Sequence, residues 1–214
     1  RSMTQWLGGM GIIVLSLAIL PILGIGGMQL YIAEVPGPVP DKLHPKVTAT
    51  AKRLWSIYAI FTLIETILLF FGGMDFFDAI NHSLTTMATG GYSTKQASIA
   101  YFNSPFIQYV ILFFMFVAGM NFTLSYFALK GNFSKIWKNE EFRYYLGFIV
   151  GISIIIFAGL FFSSNLSVEI SFRNALFQVV SIMTTTGFVT DNYLAWMPFM
   201  MILILMIMFF GGSA

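Results

Sequence analysis

The chain has 214 residues, of which 57% are hydrophobic and 9% charged, with a net charge of +2. Soluble domains carry about a quarter charged residues, so these values, with a mean hydropathy of +0.82, call for membrane lipid as the main solvent. The small net charge gives no footing for nucleic acid, and the absence of cysteine removes disulfides, thiolate nucleophiles and Cys-based metal sites.

In chain order, with about 20 apolar residues needed per crossing, spans are predicted at 6–25, 54–71, 105–129 and 144–162, and a fifth opens at Trp196. The run from Trp196 to Phe210 rises only about 22 Å against a hydrocarbon core of about 30 Å. Together with the lack of an initiator Met, this reads as a piece of a longer protein. Two further apolar segments, 76–88 and 172–183, are too short to cross and suit re-entrant helices shielded by their neighbours. The N-terminal run has the length of a span and not of a signal peptide.

The connections supply the orientation. Lys42, Lys46, Lys52 and Arg53 lie in one, and Lys130, Lys135, Lys138 and Arg143 in another, whereas the opposite side collects Arg1, Lys95 and Arg173. Basic residues favour the cytoplasm, so both basic connections are expected inside and both re-entrant segments enter from outside. The prolines between Pro36 and Pro45 exclude a continuous helix in the first connection.

A shift of 96 residues lays FFDAINHSLTTMATGGYST, from Phe76, over FRNALFQVVSIMTTTGFVT, from Phe172. Met87 then meets Met183, Thr89 meets Thr185, Gly91 meets Gly187, Tyr92 meets Phe188 and Thr94 meets Thr190. Small-residue clusters follow at AGMN (118–121) and GGSA (211–214), with GGMG at 8–11. Two crossings separate the two glycine loops, so the repeats are direct, which favours units arranged around one axis over an inverted-repeat carrier. A short helix ending inside the membrane directs its carbonyl end, about half a negative charge, at a cation. Beyond it, backbone carbonyls replace the water of a dehydrated ion, and glycine permits the positive φ this requires. Thr89, Gly90, Gly91, Tyr92 and Thr185, Thr186, Gly187, Phe188 are therefore the candidate cation-binding filter residues. The plain alternative is an irregular external turn, since Thr, Gly and Ser are ordinary turn residues.

HSLTTMATGGYSTKQASIAYFNSP, FRNALFQVVSIMTTTGFVTDN and FFGGSA resemble the TrkH/TrkG branch of the Trk/Ktr/HKT potassium transporters along the whole chain. The resemblance implies an all-α polytopic membrane protein of direct repeats, each a helix, a re-entrant pore helix with filter loop, and a helix, as in potassium channels. On that reading 1–27 is the second helix of repeat one, 28–53 a cytoplasmic linker, 54–129 repeat two, 130–143 a cytoplasmic loop and 144–214 repeat three, truncated in its second helix. It further implies an intramembrane gate at Gly211, Gly212 and Ser213, a homodimer of the full-length protein, a cytosolic nucleotide-binding subunit resembling TrkA, and a bacterial inner membrane with the filter loops outside. No cofactor is expected beyond the transported potassium ion.

Glu65 lies near the middle of a span, where a charge demands a partner or water; it is read either as part of the ion path or as hydrogen-bonded to the re-entrant helix. His82, Asn81 and Asn121 are read as buried polar bonding as readily as ion contacts. Gly8, Gly9 and Gly11 suit a hinge or close helix packing. Trp6, Trp55, Trp137 and Trp196 fall near span ends, as interface anchors do. Asp191 is a candidate cation attractor or a solvated loop carboxylate. His44 and His82 form no metal pair, and no nucleophile, acid–base pair or phosphate loop is present, so an enzyme is not expected. Two functions remain: the pore-forming subunit of a potassium uptake system, and a cation-coupled carrier with a closed midplane site, with sodium permeation a variant of either.

Overall fold

The computed structural model describes residues 1–11, 47–129, 131–164 and 166–211. Within them the regular structure is helical throughout. α1 (Ser2–Trp6) runs into an irregular turn over Leu7–Gly11, where Gly9 leaves helical geometry at φ −71° and ψ −136°. α2 (Val47–Phe71) begins seven residues inside the stretch read as the linker. Gly73, at φ 98°, ends it. There the Gly73 N–H reaches the Phe70 carbonyl and the Met74 N–H the Leu69 carbonyl, the paired bonds of a Schellman ending.

Asp75 follows at once, and its carboxylate accepts from the Phe77 N–H to cap α3 (Phe76–Met87). α4 (Pro105–Ala118), with proline at its first position, and α5 (Phe122–Leu129) occupy the stretch expected as one span. The span is broken at Gly119–Asn121. α6 (Phe133–Lys138) forms within the second basic connection. α7 (Glu140–Ser163) is capped by Asn139 and carries Glu140 and Glu141 in its first turn, where the helix dipole favours acid. α8 (Val168–Met183), capped by Ser167, is 16 residues long and starts before the expected Phe172. α9 (Pro198–Gly211) follows.

The core gathers around α8. Ala175, Phe177 and Val179 are fully buried there, against Ile111 and Met115 of α4, Ile156 and Leu160 of α7, and Met200, Ile204 and Ile207 of α9. Outward faces are apolar instead of polar: Phe71 of α2, Phe162 of α7 and Phe209 of α9 are 80%, 85% and 76% exposed. Residues 53–71 and 140–163 are long and apolar enough to cross a membrane, with only a third or less of each buried within the protein. Water would oppose this distribution and lipid accepts it.

Candidate functional site: two strapped loops after short helices

The short helices α3 and α8 end at Met87 and Met183, and the chain then turns in the same way twice. The Thr89 N–H donates to the Thr86 carbonyl at 3.0 Å and the Thr185 N–H to the Ile182 carbonyl at 3.0 Å, two bonds related by the 96-residue shift. Thr89 and Gly91 have φ of 48° and 64°; Thr185 and Gly187 have 58° and 83°. Positive φ thus falls on alternate residues at matched positions. For a β-branched threonine this is a rare conformation, and it occurs in both loops.

Each loop is also strapped to its own helix by a side-chain hydroxyl. Thr85 donates to the Tyr92 carbonyl at 2.9 Å, and Ser181, at the matching position, donates to the Phe188 carbonyl at 2.7 Å. Sequence reasoning missed this pair, although the shift sets one hydroxyl over the other. His82, fully buried, adds a third tie in the first loop, with Nδ1 2.7 Å from the Asp78 carbonyl and Nε2 2.9 Å from the Ser93 hydroxyl. Of its two sequence readings, these bonds favour buried polar bonding over ion contact.

The two loops stand side by side. A Cβ on Gly91 would collide with the Thr186 carbonyl oxygen, whereas one on Gly187 would meet nothing within 4 Å. The Ala100 N–H donates to the Val189 carbonyl at 3.0 Å, and the Val189 N–H to the Ser98 hydroxyl at 3.3 Å. Along the second loop burial alternates: Thr184, Thr186 and Phe188 are buried, while Thr185 and Gly187 are exposed. Phe188 belongs to the core, and Tyr92 is half-buried with the Arg1 guanidinium 5.9 Å from its ring. From α1, Gln5 donates to the Gly90 carbonyl at 3.1 Å, a contact without a sequence signal.

Farther out, Asp78 pairs with Lys95 at 3.0 Å, and their hydrogen bond raises the Lys95 ammonium above its ordinary pKa. Asp191, read from sequence as a cation attractor or a solvated carboxylate, instead accepts from the Asn174 amide at 3.1 Å and the Trp196 indole at 3.3 Å. Arg173 is nearly buried and bonded to Glu169 at 2.9 Å. Glu65 is fully buried against the Thr86 hydroxyl of α3, the short helix that one of its two readings has it face, although neither carboxylate oxygen makes a well-formed hydrogen bond among the described residues. The neighbouring Thr86 hydroxyl is donated to the His82 carbonyl at 2.8 Å.

The small-residue clusters meet the ends of the short helices. A Cβ on Gly9 would lie 3.5 Å from Ala88, the cap residue of α3, and one on Gly119 would lie 2.5 Å from Thr184, the cap residue of α8. Gly211 would meet the Ile182 and Met183 carbonyls at 2.9 and 2.8 Å. Gly212 and Ser213, the other expected gate residues, lie outside the described residues. Among those described, no cluster of His, Asp or Glu suits a metal.

An all-helical protein with lipid-suited faces and two matched loops after short helices belongs to the class of polytopic membrane transport proteins. The model of the TrkH family, described as cation transport protein, matches residues 1–214, and the chain belongs to that family. It is 48% identical over 217 residues to the Trk system potassium uptake protein TrkH of Escherichia coli (strain K12), covering 100% of this chain and 45% of that protein. It is 35% identical over 214 residues to TrkG of the same strain, covering 99% and 44%. The crystal structure of the potassium transporter TrkH from Vibrio parahaemolyticus superposes with a TM-score of 0.78 at 40% identity, over 97% of this chain and 42% of that one. The chain thus spans less than half the length of these relatives.

Proposed function

We propose that the chain is part of the pore-forming membrane subunit of a potassium uptake system, in which cations pass a filter made by backbone carbonyls within residues 89–92 and 185–188, whose outer carbonyls, at Tyr92 and Phe188, are held by the Thr85 and Ser181 hydroxyls. The observation that carries this reading is the matched alternation of positive φ in the two loops. In an extended strand successive carbonyls point to opposite sides; reversing the sign of φ at every second residue turns them to one side, where they replace an ion's water. The relatives named for potassium uptake support potassium as the ion. α3 and α8 then serve as re-entrant pore helices of two direct repeats, their carbonyl ends favouring a cation. On the same reading the full-length protein is an inner-membrane homodimer with its filter loops outside, regulated by a cytosolic nucleotide-binding subunit and gated near Gly211.

Gly187→Ser in the full-length protein tests the filter. The added atoms have room, so the effect is conformational: at φ 83° a side chain costs on the order of 1 kcal/mol, and a loop that yields loses its carbonyl spacing. Since 1.4 kcal/mol is about a factor of ten, sodium uptake should rise several-fold relative to rubidium in cells lacking their own potassium systems. An unchanged ratio at a normal amount in the membrane would leave only an external turn.

A further inference from the structure

Both loops carry a second tie, farther out than the hydroxyl straps, and the two ties exchange their chemistry. In the first, the Asp78 carboxylate accepts from the Thr94 hydroxyl at 2.7 Å and pairs with Lys95 at 3.0 Å. In the second, Asn174 donates its amide to Asp191 at 3.1 Å. The 96-residue shift lays Asp78 on Asn174 and Lys95 on Asp191. The same two positions are therefore joined in both copies, while the loop member changes from ammonium to carboxylate. The helix members are 6% and 7% exposed, and each loop member stands four residues beyond its filter glycine.

A solvated turn has no use for such a bond. What the two versions have in common is neither charge nor residue type but the join itself. We propose that positions 78 with 95, and 174 with 191, are specificity-determining positioning pairs: they fix the outer end of each loop relative to its short helix, and so the carbonyl spacing below, without touching the ion. The proposal rests on the filter reading. It follows that the chemistry of the second tie can be transplanted into the first.

The test uses the full-length protein in cells lacking their own potassium systems, reading rubidium and sodium uptake and the amount in the membrane. Lys95→Asp sets a carboxylate against Asp78, replacing the ion pair with a repulsion that the remaining Thr94 hydroxyl bond must oppose; sodium uptake relative to rubidium should rise several-fold. Adding Asp78→Asn rebuilds the amide–carboxylate tie and should restore the ratio. The ratio is read in preference to the rate, because an added external carboxylate attracts all cations. If Lys95→Asp fails to accumulate, restoration of both amount and ratio in D78N/K95D supports the tie. An unchanged ratio in Lys95→Asp, or a double variant no better than the single one, overturns it. Gly187→Ser run alongside separates the two readings: if it shifts the ratio and Lys95→Asp does not, the filter stands and only the outer tie falls.

Discussion

Thr89 and Thr185 hold φ of 48° and 58°, values that cost a non-glycine residue about 1–2 kcal/mol. Hydrogen bonds hold each loop in this shape, from the Thr85 and Ser181 hydroxyls to the Tyr92 and Phe188 carbonyls seven residues on. The glycines differ in their reasons: Gly91 needs both its φ and the missing Cβ, which would strike Thr186, while Gly187 needs only its φ. Glu65 is the residue whose two sequence readings a measurement now divides. Its carboxylate is buried with only the Thr86 hydroxyl beside it among the described residues, and an ionised carboxylate at such depth costs on the order of 2–3 kcal/mol. Glu65→Gln keeps the shape without the charge, so the variant should reach the membrane in equal or greater amount with rubidium uptake within about twofold of the parent. A tenfold loss at unchanged amount would assign the carboxylate to the ion path. Counting identities exposed the matched glycines and threonines, but it passed over Thr85 with Ser181, and Lys95 with Asp191. Those pairs preserve a bond and not a residue, and the bond exists only once the loop has folded back.

At the scale of elements, apolar length located the helices well because burial and lipid both reward continuous hydrophobic sequence. It did not reveal the interruption between α4 and α5, for AGMN lacks proline and is apolar enough to continue a span. The reason for a small residue there is tertiary: a Cβ on Gly119 would lie 2.5 Å from Thr184 and 2.8 Å from the Tyr145 hydroxyl. Gly119→Ala should therefore destabilise the purified full-length protein by about 1–3 kcal/mol, the usual cost of overpacking, lowering its thermal midpoint by several degrees. Gly151→Ala, on α7 with nothing within 4 Å of the added methyl, should leave the midpoint unchanged or raise it, since alanine is the better helix former by about 0.5–1 kcal/mol. Equal responses of the two variants would show that contact with the α8 cap is not what requires glycine at 119.

For the whole molecule, the distribution of basic residues makes a prediction about sidedness. Gln96 is exposed in the loop beyond Gly91, and Ser134 is exposed in the second basic connection. Cysteines at these positions in the full-length protein should react with an impermeant reagent from opposite sides of intact cells, Gln96→Cys outside and Ser134→Cys only after lysis; labelling of Ser134→Cys from outside would invert the topology. Ser98 is a poorer probe because its hydroxyl holds the Val189 N–H. Membrane class was legible from composition, and the likeness of the two loops from the 96-residue shift. The meeting of Gly91 with Thr186, and of Gln5 with Gly90, was not, because contacts between units depend on how units are placed and leave no periodic trace. Gly9 touches Ala88 at the end of α3 at an ordinary contact distance, whereas Gly119 and Gly211, from before and after it in the chain, both close tightly on the end of α8. A methyl group added at Gly119 or at Gly211 would press on the residues that lead into the loop at 184–188: the second loop is clasped as in a vice, and the first is merely leaned upon.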